Sequence, residues 1–317
     1  MRKLPNKIGL VAVIGYGSQG RAIACNLRDS GCDVRIGLRT TSKSRRKAKK
    51  DNHSCITTIS RAVHSAEVLC FALPDHQHGP VYEDQIKPNL QQGTTFLFLH
   101  GLSVHFQLIV PPVDSDLILI APHAPGMAVR ESYLGDRTVS AFSAVYQDIS
   151  GRADRKVLDL ASAIGISRKR LIATTFEREA IGDLFGEQAV LCGGLAALIK
   201  NGFEVLLEKG FPPEAAYLEV AFQLDLIIDL IKRFGIEGML SRISVAARLG
   251  AVETGPKLID RSVRGRMEEV FEEVASGRFV RRLQNLSDDD LSKLDRSLSR
   301  LSHPALERAA RKLAPDK

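Results

Sequence analysis

Three groups of residues combine type and spacing in ways that do chemistry. The first is Val11-Ala-Val-Ile-Gly15-Tyr16-Gly17-Ser18-Gln19-Gly20, a GxGxxG pattern that ends an apolar run and opens an amphipathic one. Between a strand and a helix, Gly15 permits the tight turn, Gly17 lets backbone approach a pyrophosphate, and Gly20 allows close helix–strand packing. The helix that follows turns unpaired N–H groups and the positive end of its dipole toward phosphates. A dinucleotide is the expected ligand, with a purely structural glycine turn as the plainer alternative. The second group is Gly37-Leu38-Arg39-Thr40-Thr41-Ser42-Lys43-Ser44-Arg45-Arg46. A carboxylate at this point holds the ribose 2′-hydroxyl of NAD; cations and hydroxyls suit a 2′-phosphate instead. Arg39, Ser42, Ser44 and Arg45 are therefore cofactor candidates. NADP is expected over NAD, against the alternative of a solvated basic loop.

The third group is Asp183-Leu-Phe-Gly-Glu187-Gln188. Carboxylates four residues apart project from one helix face, and like charges there repel unless a cation joins them. Hard ions such as Mg²⁺ take oxygen ligands of this kind. Apolar flanks (Leu184, Phe185, Ala189, Val190, Leu191) favour a site, although a pair of helical acids more often lies on a solvated face. Glu219 and Gln223 repeat the spacing on a later helix, and Gly193-Gly194 thins the chain where close packing has a use.

These groups sit in two textures. Strands are expected at residues 8–14, 34–38, 68–72, 95–99, 117–121, 140–145 and 171–174, alternating with helical stretches such as 20–29 and 152–164. That alternation predicts a parallel sheet covered on both faces, an α/β Rossmann-type N-terminal domain over residues 1–175. Strand signals then stop. Amphipathic runs at 182–200, 212–234, 235–248 and 265–277, punctuated by glycines and Pro212-Pro213, predict an all-α C-terminal domain over 176–317, with a polar, peripheral end.

With 317 residues, 44% hydrophobic and 26% charged, the chain has the composition of a two-domain globular protein. No apolar run approaches the roughly 20 residues of a membrane span, and MRKLPNK does not fit a signal peptide. Five cysteines without a CxxC pair argue against disulfide or thiolate–zinc frameworks and suit a reducing cytoplasm. The net charge of +7 is concentrated in residues 39–50 and the C-terminal tail, and aromatics are sparse, so neither nucleic acid nor a membrane is an expected partner. His76 and His78 are expected as solvated loop histidines rather than a metal pair, and His105 as support for the loop of His100.

At these residues the chain resembles the ketol-acid reductoisomerase (acetohydroxy-acid isomeroreductase) family in its short form. The likeness runs through VIGYGSQG, LPDHQHGPVYEDQIKPNL, HGLSVHF, IAPHAPGMAVRESY, DLFGEQAVLCGG, AYLEV, SRIS, TGPKLI, SGRFVRRL and SHPALERAARKL. The resemblance implies reduction of a 2-oxo acid by NADPH after a Mg²⁺-dependent alkyl migration, in the service of branched-chain amino-acid synthesis. It also implies a knotted helical domain that interlocks in a homodimer, so that each site draws on both subunits. It gives Asp183 and Glu187 as metal carboxylates and Glu219 as a partner-subunit acid. Ser244 becomes a substrate serine, His100 faces the nicotinamide, and Gly126 belongs to the cofactor site.

Three positions depart from the family pattern. His123 stands where the family has lysine, Gln223 where it has a second glutamate after Glu219, and Arg248 where it has glutamate after the substrate serine. Gln223 removes a ligand charge, which weakens a second Mg²⁺. His123 replaces a permanent cation with a group that titrates near neutrality and serves as acid or base. Arg248 brings a fixed cation toward the substrate. Three readings follow: a reductase of this family with migration weakened or lost, an ordinary Mg²⁺-dependent reductoisomerase, or a non-catalytic NADPH-binding protein.

Overall fold

The computed structural model describes residues 8–314. The chain divides into two compact units, residues 1–182 and 183–317.

The first unit is built on eight strands: β1 Val11–Ile14, β2 Val34–Gly37, β3 Ile56–Thr57, β4 Val68–Phe71, β5 Thr95–Phe98, β6 Asp116–Pro122, β7 Ala141–Gln147 and β8 Leu171–Ala173. They lie in the order β3-β2-β1-β4-β5-β6-β7-β8. Short, fully apolar strands such as VAVI and VLCF suit this sheet because both its faces are covered. Val11 and Val13 join one core layer with Cys70, Leu97 and Ile118. Ala12 and Ile14 join the other with Leu69, Phe71, Phe96 and Phe98. The rings of Phe71 and Phe98 stack at 4.7 Å in that second layer.

Helices α1 Ser18–Asp29, α2 Ser44–Lys50, α3 Ile59–Val63, α4 His78–Val81, α5 Leu102–His105, α6 Gly126–Leu134 and α7 Ala153–Ile164 connect the strands. The chain leaves β1 toward β2 and β3, then returns to place β4 on β1's other side. A crevice opens at such a reversal, outside the carboxyl ends of the strands.

One expectation is corrected here. The sheet is not wholly parallel, because β7 runs antiparallel to β6, with Ile118 opposite Val145 and Pro122 opposite Ala141. Helix α6 is nine residues long, and the segment after it re-enters the sheet beside the end of β6 rather than crossing back to its start. The edge strand β3 escapes periodicity because two residues of Ile-Thr carry no alternation.

Helix α8 spans Phe176–Gly186, and the second unit continues with α9 Gly193–Glu208, α10 Pro213–Tyr217, α11 Leu224–Leu240, α12 Val245–Leu258, α13 Arg261–Ala275, α14 Arg278–Gln284, α15 Asp288–Ser297 and α16 Pro304–Lys312. The long runs expected at 182–200 and 212–234 are interrupted by π turns at Glu187–Leu191 and Leu218–Phe222. The run expected at 235–248 begins inside α11, where Gly235 leaves helical geometry at φ 72°, and breaks again before α12.

Among its described residues, this unit buries little apolar surface. Phe203 and Ala216 pack with Ala305 of α16, and Lys312 ties α16 to Glu214 at 2.7 Å. Large side chains stay exposed along α11 and α12, including Leu226, Ile228, Phe234, Val245, Leu249 and Val252. The helical stretch Phe176–Glu208 is long and apolar enough to cross a membrane by length and composition, and little of it is buried. No contiguous apolar run signalled it, because polar residues and the π turn interrupt the string.

Candidate active site

The carboxyl edge of the parallel strands gathers the β1–α1 turn, the end of β5 with His100, and the end of β6 with His123. The glycines of the first turn are required by space. Gly15 has φ +101°, and a Cβ there would stand 2.3 Å from the Ala72 carbonyl oxygen. One on Gly20 would stand 2.8 Å from the Ala72 Cβ, whereas nothing lies within 4 Å of one on Gly17. The turn is thus packed where it meets the sheet and open where a diphosphate would approach. Ser18 begins α1. Gln19 Nε2 donates to the Ala124 carbonyl at 2.7 Å, while its buried Oε1 has no protein partner. A Cβ on Gly126 would lie 2.1 Å from the Ser18 carbonyl oxygen, so Gly126 lets the β6–α6 turn press against the phosphate turn. These residues fit a dinucleotide.

Two cofactor candidates do something other than expected. Tyr16 is 3% exposed, and its hydroxyl donates to Asp51 at 2.8 Å; only its backbone serves the turn. Burial and the neighbouring Cys25 and Asp51 push that phenol's pKa far up. Arg45 sends its guanidinium to the carbonyls of Leu38, Thr57 and Ile56. Strand β2 and the edge strand β3 end there with acceptors that need donors, so Arg45 completes the end of the sheet rather than presenting itself to phosphate. Arg39 is exposed, and Ser42 Oγ accepts from the Ser44 N–H at 3.3 Å, leaving 39–44 as the segment able to meet an anion.

His100 is fixed by a carboxylate that spacing did not reveal. Glu179 of α8, 3% exposed, accepts from His100 Nδ1 at 3.0 Å and from the Gly101 N–H. A Cβ on Gly101 would approach the Phe176 carbonyl to 2.3 Å, so this glycine admits α8 to the loop. Glu179 lies 79 positions from His100 in the chain, and no local signal links them. His123 sits edge-on against Phe142, ring centroids 4.3 Å apart, and its backbone N–H donates to the Ser140 carbonyl. His78 corrects the solvated-loop expectation: it is 4% exposed. Its Nε2 donates to the Leu73 carbonyl at 2.9 Å, so Nδ1 accepts from Ser103 Oγ at 2.6 Å. Burial lowers its pKa, in keeping with a neutral ring.

In the helical unit, Asp183 lies in α8 and is half-buried, and Glu187 opens the π turn, exposed. A π turn carries more residues per revolution than an α turn, so it re-aims the side chains that follow. Gly193 and Gly194 exist for it: Cβ atoms there would stand 2.2 Å from the Gln188 and Ala189 carbonyl oxygens. Glu219 lies in the second π turn, also exposed. Gln223 follows as the N-cap of α11, its Nε2 donating to the Leu218 carbonyl at 3.2 Å. Ser244 caps α12, its Oγ accepting from Ala247, with exposed Arg248 one turn on. Among the described residues of a single chain, no three His, Cys, Asp or Glu side chains converge as a cation cage. Mg²⁺ keeps several waters and needs one or two protein carboxylates, so Asp183 and Glu187 fit it.

A reversed parallel sheet with a glycine-lined turn at its switch point, followed by a helical unit with carboxylates at π turns, defines a dinucleotide-dependent oxidoreductase of two domains. Residues 6–170 match the family model for the acetohydroxy acid isomeroreductase NADPH-binding domain, and residues 176–315 that for the ketol-acid reductoisomerase C-terminal domain. The chain belongs to the ketol-acid reductoisomerase family. It is 47% identical over 271 residues to the NADP⁺ ketol-acid reductoisomerase of Xanthomonas oryzae pv. oryzae, covering 86% of this chain and 81% of that one. It is 49% identical over 277 residues to that of Pyrobaculum aerophilum, covering 87% and 84%. A solved NADH-preferring ketol-acid reductoisomerase from an uncultured archean superposes with a TM-score of 0.90 at 38% identity, over 97% of this chain and 95% of the other.

Proposed function

We propose that this protein is an NADPH-dependent oxidoreductase acting on a 2-oxo acid or a related C=O or C=N compound, with the alkyl-migration step of its family weakened. Bound NADPH supplies the hydride and Mg²⁺ polarises adjacent substrate oxygens. Asp183, Glu187 and a second subunit's copy of Glu219 hold the cation, with Gln223, Ser244 and Arg248 at the substrate. The observation that carries the weakened migration is Gln223, a neutral amide whose Nε2 donates to the Leu218 carbonyl where the family places an anion. The cofactor preference rests on 39–44, which lacks any carboxylate and carries Arg39, Ser42 and Ser44.

Within this reading, His100 is the positioned acid–base group, its ring oriented by Glu179. His123 stands at the carboxyl end of β6, an imidazole where the family has lysine. A homodimer follows from the exposed apolar faces of α11 and α12, and the knotted, interlocked arrangement is that of the family. The setting is the cytoplasm. The ordinary reductoisomerase remains the second reading, favoured by retention of Asp183 in α8 and of Glu187 and Glu219 in the two π turns.

NADPH oxidation followed with 2-acetolactate and with 3-hydroxy-3-methyl-2-oxobutanoate, with and without Mg²⁺, separates them. Turnover of the second compound alone supports weakened migration, and equal Mg²⁺-dependent turnover of both supports the ordinary enzyme. Binding of NADPH with consumption of neither points outside this pathway or to a non-catalytic protein. Gln223→Glu is expected to tighten Mg²⁺ about tenfold and to raise turnover of 2-acetolactate.

A further inference from the structure

We propose that Asp51, a residue outside every motif above, is a positioning residue that sets the preference for a 2′-phosphorylated dinucleotide by pinning α2 to the phosphate-binding turn. This rests on the NADP reading of residues 39–44.

Helix α2 is Ser-Arg-Arg-Lys-Ala-Lys-Lys, and Ala48 is its one buried residue. Apolar burial therefore does little to hold it. Its cations repel one another at Arg45/Lys49 and Arg46/Lys50, one turn apart. Its position is instead set by polar clamps at its two ends. At the N-terminal end, Arg45 fastens to the carbonyls of Leu38, Ile56 and Thr57. At the C-terminal end stands Asp51. One carboxylate oxygen accepts from the Tyr16 hydroxyl at 2.8 Å and from Arg21 Nε at 2.7 Å; the other accepts from Arg21 Nη2 at 2.8 Å. Its carbonyl accepts from the Arg28 guanidinium. Tyr16 belongs to the turn that would hold the pyrophosphate, and Arg21 and Arg28 to the helix that follows it. Asp51 thus links the pyrophosphate subsite to the helix that begins where the 2′-phosphate subsite ends. The Arg21 hydrogen bonds hold its carboxyl below the usual carboxylate range, against the opposing effect of burial.

With the link intact, the two phosphate subsites keep a fixed separation, and a ligand carrying both phosphates engages them without reordering α2. With it cut, α2 loses its link to Tyr16 and Arg21 and keeps only Arg45, the buried Ala48 and the Arg28 contact to the Asp51 carbonyl. A dinucleotide with a 2′-phosphate then bears the ordering cost, whereas one without it does not use 39–44.

The experiment is calorimetric titration of the full-length protein with NADP⁺ and with NAD⁺, without turnover, for wild type, Asp51→Asn, Asp51→Glu and Arg21→Gln. Asp51→Asn is expected to raise Kd for NADP⁺ about tenfold, since a hydrogen bond to a charged group contributes on that scale. Kd for NAD⁺ stays within about twofold. Asp51→Glu recovers part of the loss. Arg21→Gln shifts NADP⁺ in the same direction, and with a side chain 56% exposed it tests the link should Asp51→Asn lower the thermal midpoint sharply. Equal weakening of both ligands, or of neither, overturns the positioning role. Wild type binding NAD⁺ as tightly as NADP⁺ overturns the NADP reading itself, and the inference with it.

Discussion

The Nδ1 of His100 is committed to a carboxylate. Nδ1 donates to Glu179, which makes Nε2 the basic nitrogen of the ring. Glu179→Gln keeps the volume but removes the charge that favours this tautomer and steadies an imidazolium. It is expected to lower kcat about tenfold or more, with KM for NADPH unchanged, in steady-state assays. A fall in thermal midpoint with kcat intact would reduce Glu179 to a packing role. His100 itself is legible from the family resemblance, but its carboxylate is not, because only the docking of α8 on the β5 loop makes them neighbours. Tyr16 and Arg45 teach the converse. Both stand in segments that read as cofactor-binding, yet their side chains satisfy acceptors of the protein's own framework.

A π turn and a buried carboxylate network position the rest. The π turn at 187–191 is wide, and Gly193 makes room for its carbonyls. Gly→Ala inside an ordinary exposed helix stabilises by roughly 1 kcal/mol. Gly193→Ala is expected to do the opposite, destabilising by about 2 kcal/mol and weakening Mg²⁺ binding as Glu187 is re-aimed. Urea unfolding and a Mg²⁺ titration check both effects. In the sheet, Asp116 at the start of β6 accepts from Lys156 at 2.6 Å, from the Ser150 hydroxyl at 2.6 Å and from the Ile149 and Ser150 N–H groups. Burial raises its pKa, but these donors more than offset that and hold it at about 2. A folded-state pKa below the unfolded one means stability present above about pH 4 and lost as pH falls toward about 2. Asp116→Asn should cost about 3 kcal/mol at pH 7 by urea unfolding and flatten that acid limb. Strand positions at this scale follow from apolar runs, whereas the π turns do not, since a 3.6-residue period looks the same until packing interrupts it.

For the whole molecule, the helical unit leaves Leu226 and Val252 each 63% exposed on helices with few buried neighbours. Such surface is stable in water when another surface covers it. The expected cover is a second copy. Leu226→Glu combined with Val252→Glu should convert the protein to a monomer in light scattering and, on the proposal that a second subunit's Glu219 completes the site, abolish turnover. A double variant that stays dimeric and active would place the interface elsewhere.

Seven of the eight strands, the glycine turn and the basic segment after β2 are legible in the order of residues alone, because each depends on neighbours a few positions apart. The antiparallel β7, the π turns, the Glu179–His100 pair and the Asp51 clamp were decided by tertiary structure. Each joins groups distant in sequence, or trades regular geometry for packing, and no local pattern carries that information.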